Sequence, residues 1–167
     1  HYAARNDHLN AYQLIMKNNP VKNPESGYMT PFHMDAKHGH FLICKLIIDN
    51  IKDKNPKNVD DETPLHFAAK CGFLDICQLI IDKVIDKNPR DESRNTPLHH
   101  AVTYGHLEIV KLIFNNIENI HPSADHGVKP MHLAAKCNNL AIFRLFFENI
   151  EDKNPKDNLD NTPLHIA

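Results

Sequence analysis

An all-α solenoid of helix-turn-helix units, 33 residues each, is the fold class this sequence predicts, and three observations carry the prediction. Thr30-Pro31-Phe32-His33, Thr63-Pro64-Leu65-His66, Thr96-Pro97-Leu98-His99, Lys129-Pro130-Met131-His132 and Thr162-Pro163-Leu164-His165 stand at strictly equal intervals. A fixed period in this range marks an array whose units cannot bury their apolar faces alone and must stack on their neighbours. Within one unit, an apolar segment with a helix start signal is followed by a second apolar stripe at helical spacing. A polar, proline-bearing stretch then separates that stripe from the next start signal.

The unit from Thr63 to Asn95 shows each element in order. A hydroxyl residue followed by proline is the arrangement of a helix N-cap and first helical position, so the first helix starts at Thr63-Pro64. Leu65, Ala68 and Ala69 place small and apolar groups on one face, where tight packing resists anything larger. Gly72 ends the helix in a conformation open to positive φ. The second helix is expected from Leu74 to about Asp82, with Leu74, Ile76, Cys77, Leu79, Ile80 and Ile81 as a broad apolar stripe. Residues 86–95 read as an exposed loop or hairpin. Its Asn-Pro element recurs at Asn23-Pro24, Asn55-Pro56 and Asn154-Pro155, while His121-Pro122 replaces it once.

The block Thr63-Pro64-Leu65-His66-Phe67-Ala68-Ala69-Lys70-Cys71-Gly72 resembles the first helix of an ankyrin repeat, and the likeness extends along the whole chain. On that resemblance, residues 1–167 form one ankyrin-repeat domain: a partial repeat 1–29, repeats 30–62, 63–95, 96–128 and 129–161, and a partial repeat 162–167. Both ends read as cuts through a longer array. The sequence departs from the family pattern at Ile51, Val84, Ile117 and Ile150, where glycine is common after the second helix; Asn50, Asn116 and Asn149 are expected to supply the left-handed residue there. Asn138 stands where other units have Gly39, Gly72 and Gly105. Lys129 replaces the capping threonine, at a cost of about 1 kcal/mol for that helix start.

Asp35 occupies the register of Ala3, Ala68, Ala101, Ala134 and Ala167. A carboxylate in that position needs a partner, a proton or water. Two outcomes stay open: a side chain reaching solvent at a tolerant site, or a specific local hydrogen-bond network.

Composition narrows the function. A net charge of −2 gives no field that draws the chain to polyanions, so no nucleic-acid partner is expected. No apolar run reaches the ~18 residues a membrane span requires. Cys44 and Cys77 share one register, Cys71 and Cys137 another. Stacked helices lie roughly 8–10 Å apart, beyond the ~7 Å reach of a disulfide, so free thiols and an intracellular, cytoplasmic setting are expected.

Of the 13 histidines, six are the motif residue of successive units and His8, His40 and His106 share a second register. Resemblance assigns the motif histidines to bonds between one helix and adjacent loop backbone. His38-Gly39-His40 supplies only two imidazoles, an incomplete set, and no metal site is expected. Ser26, Ser93 and Ser123 lie outside any Gly-x-Ser-x-Gly, and no phosphate-cradling glycine loop occurs among five glycines. Cys71 and Cys137 have no base fixed beside them by sequence. No catalytic residue and no cofactor is therefore expected.

The resemblance implies a groove lined by loop tips and first-helix faces, presented by a monomeric, non-catalytic signalling adaptor or scaffold to a protein or peptide partner. The partner-binding positions are then Tyr28, Met29, Lys37, His38, Val59, Glu62, Lys70, Cys71, Glu92, Asn95, Tyr104, His126, Val128, Lys136 and Leu159. Arg5, Lys37, Lys70 and Lys136 would form a basic ladder broken at Thr103, facing acidic tips at Asp60, Asp61, Glu62, Asp91 and Glu92. An alternative is the regulatory or targeting segment of a larger enzyme or ion channel. Resemblance also implies hydroxylation of the loop asparagines Asn55, Asn88 and Asn154.

Overall fold

The computed structural model describes residues 29–167, and the chain divides into two compact units, His1–Ile85 and Asp86–Ala167. Every regular element among the described residues is helical. Tyr28 and Arg5 lie outside the described residues.

The first unit carries α1 (Pro31–His38), α2 (Phe41–Asn50), α3 (Pro64–Cys71) and α4 (Leu74–Ile81). Helix α1 packs on α2 and α3 on α4, and these pairs stack in series through α1 on α3 and α2 on α4. Phe32, Ile47, Ile48, Leu65, Ile76, Ile80 and Ile81 are fully buried, and Ala36, Ala68 and Ala69 at 0 % exposure let the first helices approach closely. Truncating Leu65, at 0 % exposure, to alanine would cost about 2–5 kcal/mol, the lost transfer free energy plus the cavity left behind.

The second unit repeats the pattern with α5 (Pro97–Thr103), α6 (Leu107–Phe114), a short 3₁₀ turn (Asp125–Gly127), α7 (Pro130–Lys136), α8 (Leu140–Asn149) and the closing turn α9 (Pro163–Ile166). Helices α5, α7 and α9 pack in series, and α6 packs against α8. Leu98, Ile109, Ile113, Met131 and Phe146 fill the interior. The all-α class, the helix starts and the repeat register match the sequence reading.

The first helices stop where expected, at residues with φ of 76° (Gly39), 84° (Gly72), 76° (Gly105) and 51° (Asn138). Gly39 is required twice over. Beyond its left-handed backbone, a Cβ would lie 2.4 Å from Cε1 of Phe73.

The second helices end differently from the expectation. Asn50, Asn116 and Asn149 are not left-handed; Asn50 and Asn149 stay in their helices. Each asparagine amide donates to the carbonyl four residues back, at Leu46, Leu112 and Leu145. Ile51 and Ile150 then leave in extended conformation, with ψ of 150° and 141°. A buried aliphatic side chain thus anchors the exit, which a glycine could not do: Ile51, Val84 and Ile150 are each at most 9 % exposed.

The stretch after the second helix has a recurring four-residue logic, Asp53-Lys54-Asn55-Pro56, Asp86-Lys87-Asn88-Pro89 and Asp152-Lys153-Asn154-Pro155. The aspartate Oδ1 accepts from the N–H two residues on, at 3.0, 3.1 and 3.1 Å. Lys54 and Lys153 turn back to donate to carbonyls at the end of the preceding helix, including those of Ile48 and Phe147, where the helix dipole favours a cation. Asn88 Oδ1 accepts from the Leu98 N–H at 3.3 Å. The proline is buried in every copy.

Candidate functional site

The loops close as three-residue hairpin turns. Asn58, Asp91, Ala124 and Asp157 donate their N–H to the carbonyls of Glu62, Asn95, Val128 and Asn161. A type I turn followed by a left-handed residue has this geometry, and the left-handed residues are Asp61, Arg94, Gly127 and Asp160. Side chains at the first position hold the turn: Asn58 Oδ1 accepts from Asp60 and Glu62, and Asp157 Oδ1 accepts from Leu159 and Asn161. The Asn161 amide also donates to Asp157 and holds its carboxyl below the usual carboxylate range. Ala124 lacks this acceptor, and there the chain forms the 3₁₀ turn with His126 also left-handed, at φ 58°.

The motif histidines tie these turns to the helices. In each repeat the N–H of the residue before proline donates to the histidine Nδ1, at 3.0 Å for His33, 2.9 Å for His66, 3.1 Å for His99 and 3.1 Å for His132. Nε2 must then carry the proton. It donates to the carbonyl 29 residues on: Glu62 for His33 at 3.0 Å, Val128 for His99 at 3.4 Å, Asn161 for His132 at 3.1 Å. Where threonine is present, its hydroxyl also lies on Nδ1, at 2.8 Å for Thr30 and 3.0 Å for Thr96. Lys129 keeps the backbone bond and loses the hydroxyl one. Burial pushes His33 below its ordinary value and His99 down to about 4, against the pull of the Glu62 and Val128 carbonyls.

This network redistributes the sequence-predicted positions. Glu62, Asn95 and Val128 are not tip residues: they close the turns with their carbonyls and are half-buried, as is Met29 in the same register. Asp91 is likewise turned inward, its carboxylate accepting from the Asn95 N–H at 2.7 Å and meeting His100 Nε2 at 3.3 Å. The tips proper are residues 59–61, 92–94, 125–127 and 158–160. In the second unit consecutive tips are joined by backbone bonds, Asp125 N–H to the Ser93 carbonyl at 3.1 Å and Asn158 N–H to the His126 carbonyl at 2.8 Å. Glu92, His126 and Leu159 therefore stand along one row.

Exposure separates the candidates further. In the first unit Lys37, His38, Val59 and Cys71 face solvent and Lys70 is half-buried. In the second, Glu92, Tyr104, His126, Lys136 and Leu159 are exposed. Val59, Tyr104 and Leu159 present 66, 52 and 78 % of their surface. Cys44 and Cys77 are buried and their thiols pushed up by desolvation, Cys44 to about 12, whereas Cys71 and Cys137 are exposed.

The structure resolves one alternative the sequence left open and adds one feature the sequence reading missed. Asp35 is paired, its Oδ1 2.8 Å from His40 Nδ1 with the carboxylate side chain 14 % exposed, which selects the local network over the solvent-reaching alternative. His121 sits in the α6–α7 loop against Phe146, ring centroids 6.5 Å apart, and both its ring nitrogens are buried with no hydrogen-bond partner among the described residues. Burial first, then Lys129 and His132, pushes it down to about 4. Its position in the Asp-Lys-Asn-Pro register was the available signal.

No helix among the described residues is long and apolar enough to cross a membrane. A family model described as ankyrin repeats (3 copies) matches residues 1–91 and 32–125, and one described as ankyrin repeats (many copies) matches residues 118–167. No curated protein matches the chain. Ankyrin repeats are in general protein–protein interaction modules and typically non-catalytic. With matched segments running from end to end and the helix pairs, turns and motif-histidine bonds in place, the chain belongs to the ankyrin-repeat family.

Proposed function

We propose that this chain is a non-catalytic, monomeric interaction scaffold, cytoplasmic in setting, that holds a protein or peptide partner against its hairpin tips and the exposed ends of its first helices. The carrying observation is the outward display of Tyr104 and Leu159 in the second unit; within the first, Val59 is displayed likewise. Turn-closing carboxylates, asparagines and motif histidines fix the frame from which these side chains project. Aromatic and apolar side chains held rigidly at an exposed surface and rimmed by charge have the composition of binding anchors. The unpaired cysteines agree with a reducing compartment.

The test is proximity labelling with the chain in its native cells, followed by affinity measurement on the captured partner. Tyr104→Ala and Leu159→Ala are each expected to weaken binding by about 5- to 30-fold, the range of interface anchors, with melting temperature unchanged. Unchanged affinity in both variants would remove these positions from the site. Substrate turnover by the purified chain would overturn the scaffold reading itself.

A further inference from the structure

We propose that residues 117–128, the loop between α6 and α7, form an acid-operated latch. The segment swings off the second unit ahead of global unfolding, and His121 is its trigger.

This loop has lost, position by position, the restraints that hold the other copies. The Asp-Lys-Asn-Pro element here reads Asn119-Ile120-His121-Pro122. Asn119 keeps the first restraint, its Oδ1 accepting from the His121 N–H at 3.0 Å. Ile120 cannot supply the ammonium that Lys54 and Lys153 return to carbonyls of the preceding helix. His121 accepts nothing where Asn88 takes the Leu98 N–H. Ala124 offers no acceptor for the turn that Asn58, Asp91 and Asp157 brace. Lys129 offers no hydroxyl to the ring that Thr30, Thr63 and Thr96 contact. The exit from the second helix is less firmly anchored too, Ile117 being half-buried where Ile51, Val84 and Ile150 are buried. Each such bond contributes modestly by itself. A segment that lacks all of them has the low local stability from which sub-global openings are drawn.

Few attachments remain. Arg90 Nη1 donates to the Ser123 carbonyl at 2.7 Å and the Asp125 N–H to the Ser93 carbonyl at 3.1 Å. His99 Nε2 reaches the Val128 carbonyl at 3.4 Å, longer than the 3.0 and 3.1 Å of His33 and His132. Pro122 and Ala124 are buried, and His121 lies against Phe146.

That last contact is the one acid undoes. Both nitrogens of the His121 ring are buried without a partner. Lys129 and His132 face it from the start of α7 and His99 from α5, while Asp152 opposes them from the loop after α8. A proton arriving on this ring finds no acceptor and several basic neighbours, so the imidazolium is satisfied only in water. Burial accordingly pushes the ring down to about 4, and acid favours the conformation in which it is solvated. Asn55, Asn88 and Asn154 in the same register do not titrate. Release of the segment breaks the Asp125–Ser93 and Asn158–His126 bonds, which interrupts the row of Glu92, His126 and Leu159.

The latch does not depend on the partner-binding reading, and amide hydrogen exchange on the full 167-residue chain tests it with no partner present. Rates corrected for the intrinsic effect of pH are compared at about pH 7.5 and 5, on either side of the ordinary histidine value. The Asp125 and Asn158 amides should exchange faster than the helix amides of α6 and α8 at both pH values. Their protection should fall about tenfold on acidification. His121→Asn should abolish most of that fall. Ala124→Asn, which returns the acceptor that Asn58 supplies, should slow exchange of these two amides at both pH values and leave the acid response in place. Loop and helix amides exchanging at one common rate would overturn the separate opening. An equal acid response in His121→Asn would overturn the trigger, and unchanged exchange in Ala124→Asn would overturn the role of the missing restraints.

Discussion

His121 is the place where acid should attack this fold, and His121→Asn, which restores the loop residue of Asn55, Asn88 and Asn154, should protect it. The ring is half-buried against Phe146 with neither nitrogen bonded, and Lys129 and His132 add positive potential that Asp152 offsets only in part. Its folded-state value is about 4 against an ordinary 6.5. A depressed histidine means that the unfolded chain takes up the proton first. Stability is therefore fully present above pH 6.5, falls as pH drops toward 4, and levels off below that. The gap at about 1.4 kcal/mol per unit sets a ceiling of about 3 kcal/mol; solvent screening of a half-buried ring reduces this to about 1–2 kcal/mol. Asparagine in this register can accept a helix N–H, as Asn88 does from Leu98. Urea unfolding followed by circular dichroism at about pH 7.5 and 4.5, on either side of the titration range, should show a smaller loss of stability on acidification for the variant, by that amount. His33 and His99 titrate in the same direction in both proteins and cancel in the comparison. Parallel pH dependence in the two proteins, or an NMR titration midpoint for His121 near 6.5, would refute the reasoning.

Two further outcomes concern the motif network. His99→Leu leaves the Thr96 N–H and the Val128 carbonyl without their imidazole partner in a buried setting, and should cost about 2–4 kcal/mol by urea denaturation; a loss under about 1 kcal/mol would mean that water replaces the ring. Lys129→Thr should return the hydroxyl contact seen at Thr30, Thr63 and Thr96 and stabilise the chain by about 0.5–1 kcal/mol, read as a rise in denaturation midpoint; no rise would show that the backbone bond to His132 suffices.

Much of the first helix was legible residue by residue. Threonine, proline and the left-handed Gly39, Gly72 and Gly105 are local conformational instructions, and they read true because each acts within one or two peptide units. The exit from the second helix was misread because asparagine has two ways of serving a helix end. The expectation chose the left-handed backbone, whereas Asn50, Asn116 and Asn149 use their amides on the carbonyl four residues back. Of the candidate surface, Val59, Tyr104 and Leu159 were placed outward as expected. Glu62, Asn95 and Val128 were not, since a residue adjacent to a tip in sequence can be the one that closes the turn.

By itself, the sequence determined the repeat unit, its register and the family, because a period of equal blocks is visible in one dimension and a stack of such blocks has few ways to bury its apolar faces. The tertiary structure alone decided what each polar exception does. Asp35 is a visible exception whose partner the sequence does not name, His38 and His40 are ordinary letters until a left-handed Gly39 stacks one ring on the other, and His121 is an ordinary histidine until Phe146 closes on it. The tautomer of an imidazole and the protonation of a carboxylate depend on the atom lying about 3 Å away, and no spacing along the chain specifies which atom that will be.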